Sequence, residues 1–156
     1  MHTAKHYRVS SVAYAFLFMS NENIAIVNCF FEAYGKKDRD SLKSIVAEDV
    51  KWIFPGHHYL SGEKNGFDEV IAFFNTMSNI MGSSGIMAER LFMEGNERYV
   101  VEYQHIWTNR SDGNNFDHHW CVTWKLKNGK IVEGRHFAGN QHEVDRFFHK
   151  ISQAQH

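Results

Sequence analysis

Near Ile86 the hydrophobic pattern of this chain changes period, and that change limits what it can fold into. Before it, apolar residues recur every three or four positions. Ile24, Val27, Phe30, Phe31 and Tyr34 make one stripe, and Val70, Ile71, Phe73, Phe74, Met77 and Ile80 make another. After it, apolar and polar residues alternate. The alternation predicts strands over roughly 86–94, 98–109, 115–127 and 130–138, with turns at Glu94-Gly95-Asn96, Ser111-Asp112-Gly113-Asn114 and Asn128-Gly129. Helices followed by a strand meander form the α+β pattern.

Local signals fill in the rest. Ser20 or Asn21 can cap a helix over 21–34, which Gly35 ends. Asp38 can cap a short helix to Val46, with Leu42, Ile45 and Val46 on its apolar face. Residues 48–54 read as a strand stopped by Pro55-Gly56, and 57–65 as a polar loop. A third helix over 67–81 breaks at Gly82-Ser83-Ser84-Gly85. The end is a short helix with Val144, Phe147, Phe148 and Ile151 on one side. The expected architecture is a curved antiparallel sheet wrapped around three N-terminal helices, a cone open at one end.

The 156 residues predict a single domain over 19–152, with 1–18 as an N-terminal extension, partly disordered. The apolar run Val12–Met19 is too short to span a bilayer. Lys plus Arg is 17 and Asp plus Glu is 18, which argues against nucleic-acid or membrane-surface partners, since both need a basic excess. Two cysteines without a C-x-x-C fit a reducing, cytoplasmic setting. There is no G-x-G-x-x-G or Walker loop, and Ser61-Gly62 lacks the G-x-S-x-G of a nucleophile elbow, so no cofactor is expected.

Strand alternation proposes which side chains face the cone. In 115–127, Phe116, His118, Trp120, Val122, Trp124 and Leu126 form the apolar face. In 98–109 the odd positions, Tyr99, Val101, Tyr103, His105 and Trp107, are the more aromatic set and are expected inside. The last strand depends on its turn. A two-residue loop at Asn128-Gly129 would place Ile131, Glu133, Arg135 and Phe137 inside. A three-residue loop, Lys127-Asn128-Gly129, would place Val132, Gly134, His136 and Ala138 there. The second is favoured because it keeps Glu133 and Arg135 out of an apolar interior and sets small Gly134 beside the tryptophans, leaving room for a cavity. His105, His118 and His136 would then converge from three successive strands.

Three segments, AYGKKDRDSLKSIVAEDVKW, FPGHHYLSGEKNGFDEVIAFF and WKLKNGKIVEGRHFAGNQHEVDRFF, resemble the SnoaL-like polyketide cyclase group within the nuclear transport factor 2-like and ketosteroid isomerase-like superfamily. The resemblance covers roughly residues 21 to 150. It implies a cone-shaped α+β barrel, a pocket inside it and a homodimer through the convex sheet face. Steroid isomerases of that superfamily carry a base Asp, an oxyanion-binding Tyr and a protonated Asp where this chain has Phe54, Phe30 and about Val122, so that chemistry is not expected. Cyclases of the group place an acid/base residue on the last strand, near His136.

The leading expectation is a cofactor-independent isomerase, cyclase or dehydratase acting on a small apolar ring-bearing substrate. His136 or His118 would move the proton, oriented by His105 or Tyr103. Phe30, Trp52, Phe54, His58, Trp107, Trp120 and Trp124 would form the walls. The alternative is a non-catalytic binder of a small hydrophobic ligand. A zinc site from His105, His118 and His136 is the remaining reading; none has metal-type spacing, so no metal is expected.

Overall fold

The computed structural model describes the backbone of residues 11–82, 87–96 and 98–154, and side chains from 22 to 81 and 98 to 154. The order of elements is α1 (Ser11–Gly35), α2 (Arg39–Ile45), β1 (Val46–Phe54), β2 (Gly62–Asn65), α3 (Phe67–Gly82), β3 (Met87–Asn96), β4 (Tyr99–Trp107), β5 (Asp117–Lys127), β6 (Lys130–Ala138) and α4 (Gln141–Gln153). The first helix begins earlier than the capping signal at Ser20 or Asn21 predicts, so residues 11–18 of the expected extension are helical. Residues 1–10 lie outside the described ones. No helix among the described residues is long and apolar enough to cross a membrane.

The caps follow from the sequence. Asp38 accepts hydrogen bonds from the Ser41 backbone N–H (3.1 Å) and hydroxyl (2.7 Å), which sets the start of α2. Asn140 does the same for α4 through the Glu143 N–H (3.3 Å). On α4, Val144, Phe147, Phe148 and Ile151 are buried, one face of an otherwise polar helix.

Among the described residues the sheet has six strands, in the order β2-β1-β6-β5-β4-β3. It is mixed rather than wholly antiparallel, because β1 runs parallel to β6. The short strand β2 falls in the stretch expected to be a loop. Its four residues, Gly62-Glu63-Lys64-Asn65, are too few and too polar for periodicity to reveal, and it is held by pairing with β1.

Two expectations about strand faces need correction. On β4 the even residues face the helices: Val100, Glu102, Gln104 and Ile106 are buried. They stand opposite Trp124, Val122, Trp120 and His118 of β5, so all share one face. Tyr103, His105 and Trp107 are therefore on the outer face. Aromatic content misleads here because an amphipathic ring is stable on a half-exposed sheet surface, whereas Glu102 is tolerated inside only through its hydrogen bonds.

On β6 the expected residues, Gly134 and His136, are buried, but by a different route. Lys127 pairs with Lys130, so Asn128-Gly129 is the two-residue turn, with φ of 52° and 73°. Ile131 is then inside, as that turn requires. A register shift follows, with Leu126 opposite Ile131 but Lys125 opposite Glu133, and this bulge returns Gly134 and His136 to the interior.

Gly134 does not leave empty space. A Cβ there would lie 1.9 Å from the Trp52 ring, so the glycine lets the indole of its β1 neighbour lie across β6.

Candidate functional site

A cavity of about 150 Å³ lies between α1, α3 and the inner face of the sheet. Helix periodicity places Phe30 and Tyr34 on its α1 side, and Phe73, Phe74 and Met77 on its α3 side. The sheet supplies Trp52, Gln104, Trp120, Trp124 and His136. The rings meet mostly edge to face. Trp52 lies 4.9 Å from Trp124 and 4.8 Å from Phe74, and Phe30 lies 5.2 Å from Trp124. Such packing makes the walls stiff.

His136 is fully enclosed by rings: Trp52 at 5.6 Å, Phe54 at 4.9 Å, Trp120 at 5.0 Å and Phe73 at 6.4 Å. Neither ring nitrogen has a hydrogen-bond partner, and nor does Trp52 Nε1. Burial pushes the His136 pKa down to about 3, helped by the nearby Lys64 ammonium, so the imidazole is neutral at ordinary pH.

A polar ladder crosses the same face. Trp124 Nε1 donates to Glu102 Oε2 (2.9 Å), Gln104 Nε2 donates to Glu102 Oε1, and Trp120 Nε1 donates to Gln104 Oε1. Glu102 is completely buried. Hydrogen bonds of this kind are what allow a carboxyl group to sit in an aromatic interior. Residue preferences missed both Glu102 and Gln104. The available signal was the tryptophans, because each buried indole N–H needs an acceptor.

Behind Phe54 is a second group. His58 stacks on Phe148 at 4.5 Å, accepts the Leu60 N–H on Nδ1 (3.2 Å) and turns Nε2 toward Asp145 (3.7 Å). Burial lowers its pKa to about 4, against the pull of Asp145. For Asp145, burial pushes upward, but hydrogen bonds from the Gln141 amide (2.9 Å) and the His57 N–H (3.1 Å) outweigh it and hold the carboxyl below its ordinary value. The pair ties the loop after β1 to α4. Lys64 is buried above the Phe73 ring and donates to the carbonyls of Leu60 and Gly62, and burial lowers its pKa.

The expected catalytic group therefore divides. His136 borders the cavity. His118 shares its face of the sheet but sits half-buried at the start of β5 against Phe116 (4.5 Å). Burial lowers its pKa, opposed by Glu143 of α4. His105 and Tyr103 are on the outer face. His105 Nε2 meets Asp117 Oδ1 at 2.8 Å, Tyr103 Oη meets His119 Nδ1 at 2.6 Å, and the two histidines stack at 4.2 Å. His105, His118 and His136 do not converge, and no cluster of three His, Cys, Asp or Glu suited to a metal ion occurs among the described residues. Of the expected wall residues, Phe30, Trp52, Trp120 and Trp124 line the cavity. Phe54 and His58 form the layer behind it, and Trp107 is outside, against His105 (4.8 Å).

The fold recurs in solved structures. Bal32a from a soil-derived mobile gene cassette superposes with a TM-score of 0.71 at 22% identity, over 83% of this chain and 98% of that one. An NTF2-like protein from Burkholderia xenovorans LB400 gives 0.69 at 22% identity, over 83% and 97%. A protein of cystatin-like fold from Xanthomonas campestris gives 0.66 at 25% identity, over 80% and 96%. No curated protein matches the sequence. The model of the SnoaL-like domain matches residues 27–134, from the cavity side of α1 to the glycine under Trp52, and the chain belongs to that family.

Proposed function

We propose that this protein is a cofactor-independent enzyme of the isomerase, cyclase or dehydratase type. Its substrate is an apolar ring-bearing molecule held in the cavity, and His136 is the group that meets the substrate oxygen and moves its proton. One observation carries this reading: a buried imidazole with both nitrogens unpartnered, beside an aromatic cavity. Leaving a buried polar group unpaired costs about 1–3 kcal/mol, a cost that a bound ligand removes. The unprotonated nitrogen of a neutral imidazole can take the proton from the carbon beside a carbonyl, leaving the C–H electron pair in the enolate. The imidazolium that forms is favoured beside the enolate's negative charge, which raises the His136 pKa, and it returns the proton at a new position.

The test is proton exchange. A panel of cyclic ketones in D₂O, followed by NMR, should exchange α-protons faster with the wild-type protein than with His136→Phe. Equal rates would overturn the proposal. The depressed His136 pKa favours a second reading, a binder that hydrogen-bonds its ligand without proton transfer. That reading expects ligand affinity to depend on His136 with no exchange in either protein. A second copy on the outer sheet face, the assembly the family resemblance implies, would cover exposed Tyr103 and Phe137. Size-exclusion with light scattering tests it.

A further inference from the structure

We infer that ligands reach the cavity through the cleft between α1 and α3, and that the Tyr34 side chain is the gate in that cleft. This rests on the reading of the cavity as the ligand site, and not on proton transfer by His136.

Exposure locates the entrance. Among the described lining residues, those that are not buried are Phe31, Tyr34, Phe74 and Ser78, and all four lie on α1 or α3. Every lining residue from the sheet is buried. The cavity is therefore closed on its sheet side and open toward solvent between the two helices.

Tyr34 spans that cleft. It stands in the last turn of α1, and its hydroxyl donates to Asn75 Oδ1 of α3 at 3.0 Å. Its ring stacks on Phe30 (6.0 Å) and touches Phe74 (5.8 Å). Those two rings in turn cover the indoles, with Phe30 at 5.2 Å from Trp124 and Phe74 at 4.8 Å from Trp52. Tyr34 is half-buried where Phe30 is buried, so the tyrosine is the outer member of the stack.

The gate can open without unfolding. Asn75 is exposed, so water can take over the bond that the phenol releases. Burial raises the Tyr34 pKa, opposed by a hydrogen bond with Ser78, so the phenol keeps its proton and remains a donor at neutral pH. A half-exposed side chain also changes rotamer far faster than a helix moves.

Acrylamide quenching of indole fluorescence tests this without a known ligand. In a Trp107→Phe background the remaining tryptophans, Trp52, Trp120 and Trp124, are buried and line the cavity. Quenching rates, read from fluorescence lifetimes, should rise about twofold or more with Tyr34→Phe, which removes only the bond to Asn75, and about fivefold or more with Tyr34→Ala, which removes the gate. Ile151→Ala truncates a buried residue of α4 outside the cavity and should leave the rate unchanged. Should Tyr34→Ala fail to fold, Tyr34→Phe and Asn75→Leu make the test, with equal rises expected. A rate in these variants no higher than in the background, or no higher than in Ile151→Ala, would overturn the inference. The outcome is separable from that of the proton-transfer proposal. If Tyr34 controls quenching and no α-proton exchange occurs, only proton transfer fails. If exchange depends on His136 and quenching ignores Tyr34, only the gate fails.

Discussion

Strands β4 and β5 carry polar side chains on both faces, and the two faces treat them differently. Outside, His105 pairs with Asp117, whose side chain is 74% exposed, and Tyr103 pairs with His119. Water can replace any of those contacts. Inside, Glu102 and Gln104 bond to each other and to two indoles with no water to substitute. Residue type is thus a poor guide to consequence: the same donors and acceptors are nearly neutral on one side and strongly constrained on the other.

The largest expected effect comes from breaking the inner ladder. Glu102→Leu leaves the Trp124 and Gln104 donors buried without an acceptor, and urea unfolding should show a loss of roughly 2–5 kcal/mol. Gly134→Ala forces the Trp52 indole aside, for a loss of about 1–3 kcal/mol in the same measurement. His136→Phe should go the other way, stabilising by about 1–2 kcal/mol, because it removes two unpartnered polar atoms. It should also alter the acid response. The folded pKa of His136, about 3, lies below its unfolded value of about 6.5. The unfolded chain therefore binds the proton first. Stability is full above about pH 7 and falls as pH drops through 6.5 toward 3, by up to about 1.4 kcal/mol per pH unit from this residue. Thermal melts across that range should be shallower in His136→Phe than in wild type; identical slopes would refute the burial of a neutral imidazole. The smallest effect belongs to the outer face, where Asp117→Asn should change stability by less than about 0.5 kcal/mol.

Much of the fold is legible in the chain because hydrophobic period is a local property. The stripe Phe73, Met77, Ile80 and the alternation Trp120, Val122, Trp124 report their own burial. The inner face of β4 was not legible, because Val100 and Ile106 compete with Tyr103 and Trp107 and only pairing with β5 decides. On β6, His136 was correctly placed inside, but the device responsible was a bulge after Ile131 rather than the turn. Local preference could not choose between them, since Asn128-Gly129 suits either loop. Asn140 caps α4, a role that its place before the apolar stripe of that helix fits.

The parallel seam between β1 and β6 has a kinetic consequence. Strands β3 to β6 are neighbours in sequence and can zip as successive hairpins, whereas Trp52 must meet Gly134 across more than half the chain. Closing so long a loop is entropically slow. Among the strand pairings of the described residues, the one that sets Trp52 against Gly134 closes the longest loop and so carries the largest entropic cost.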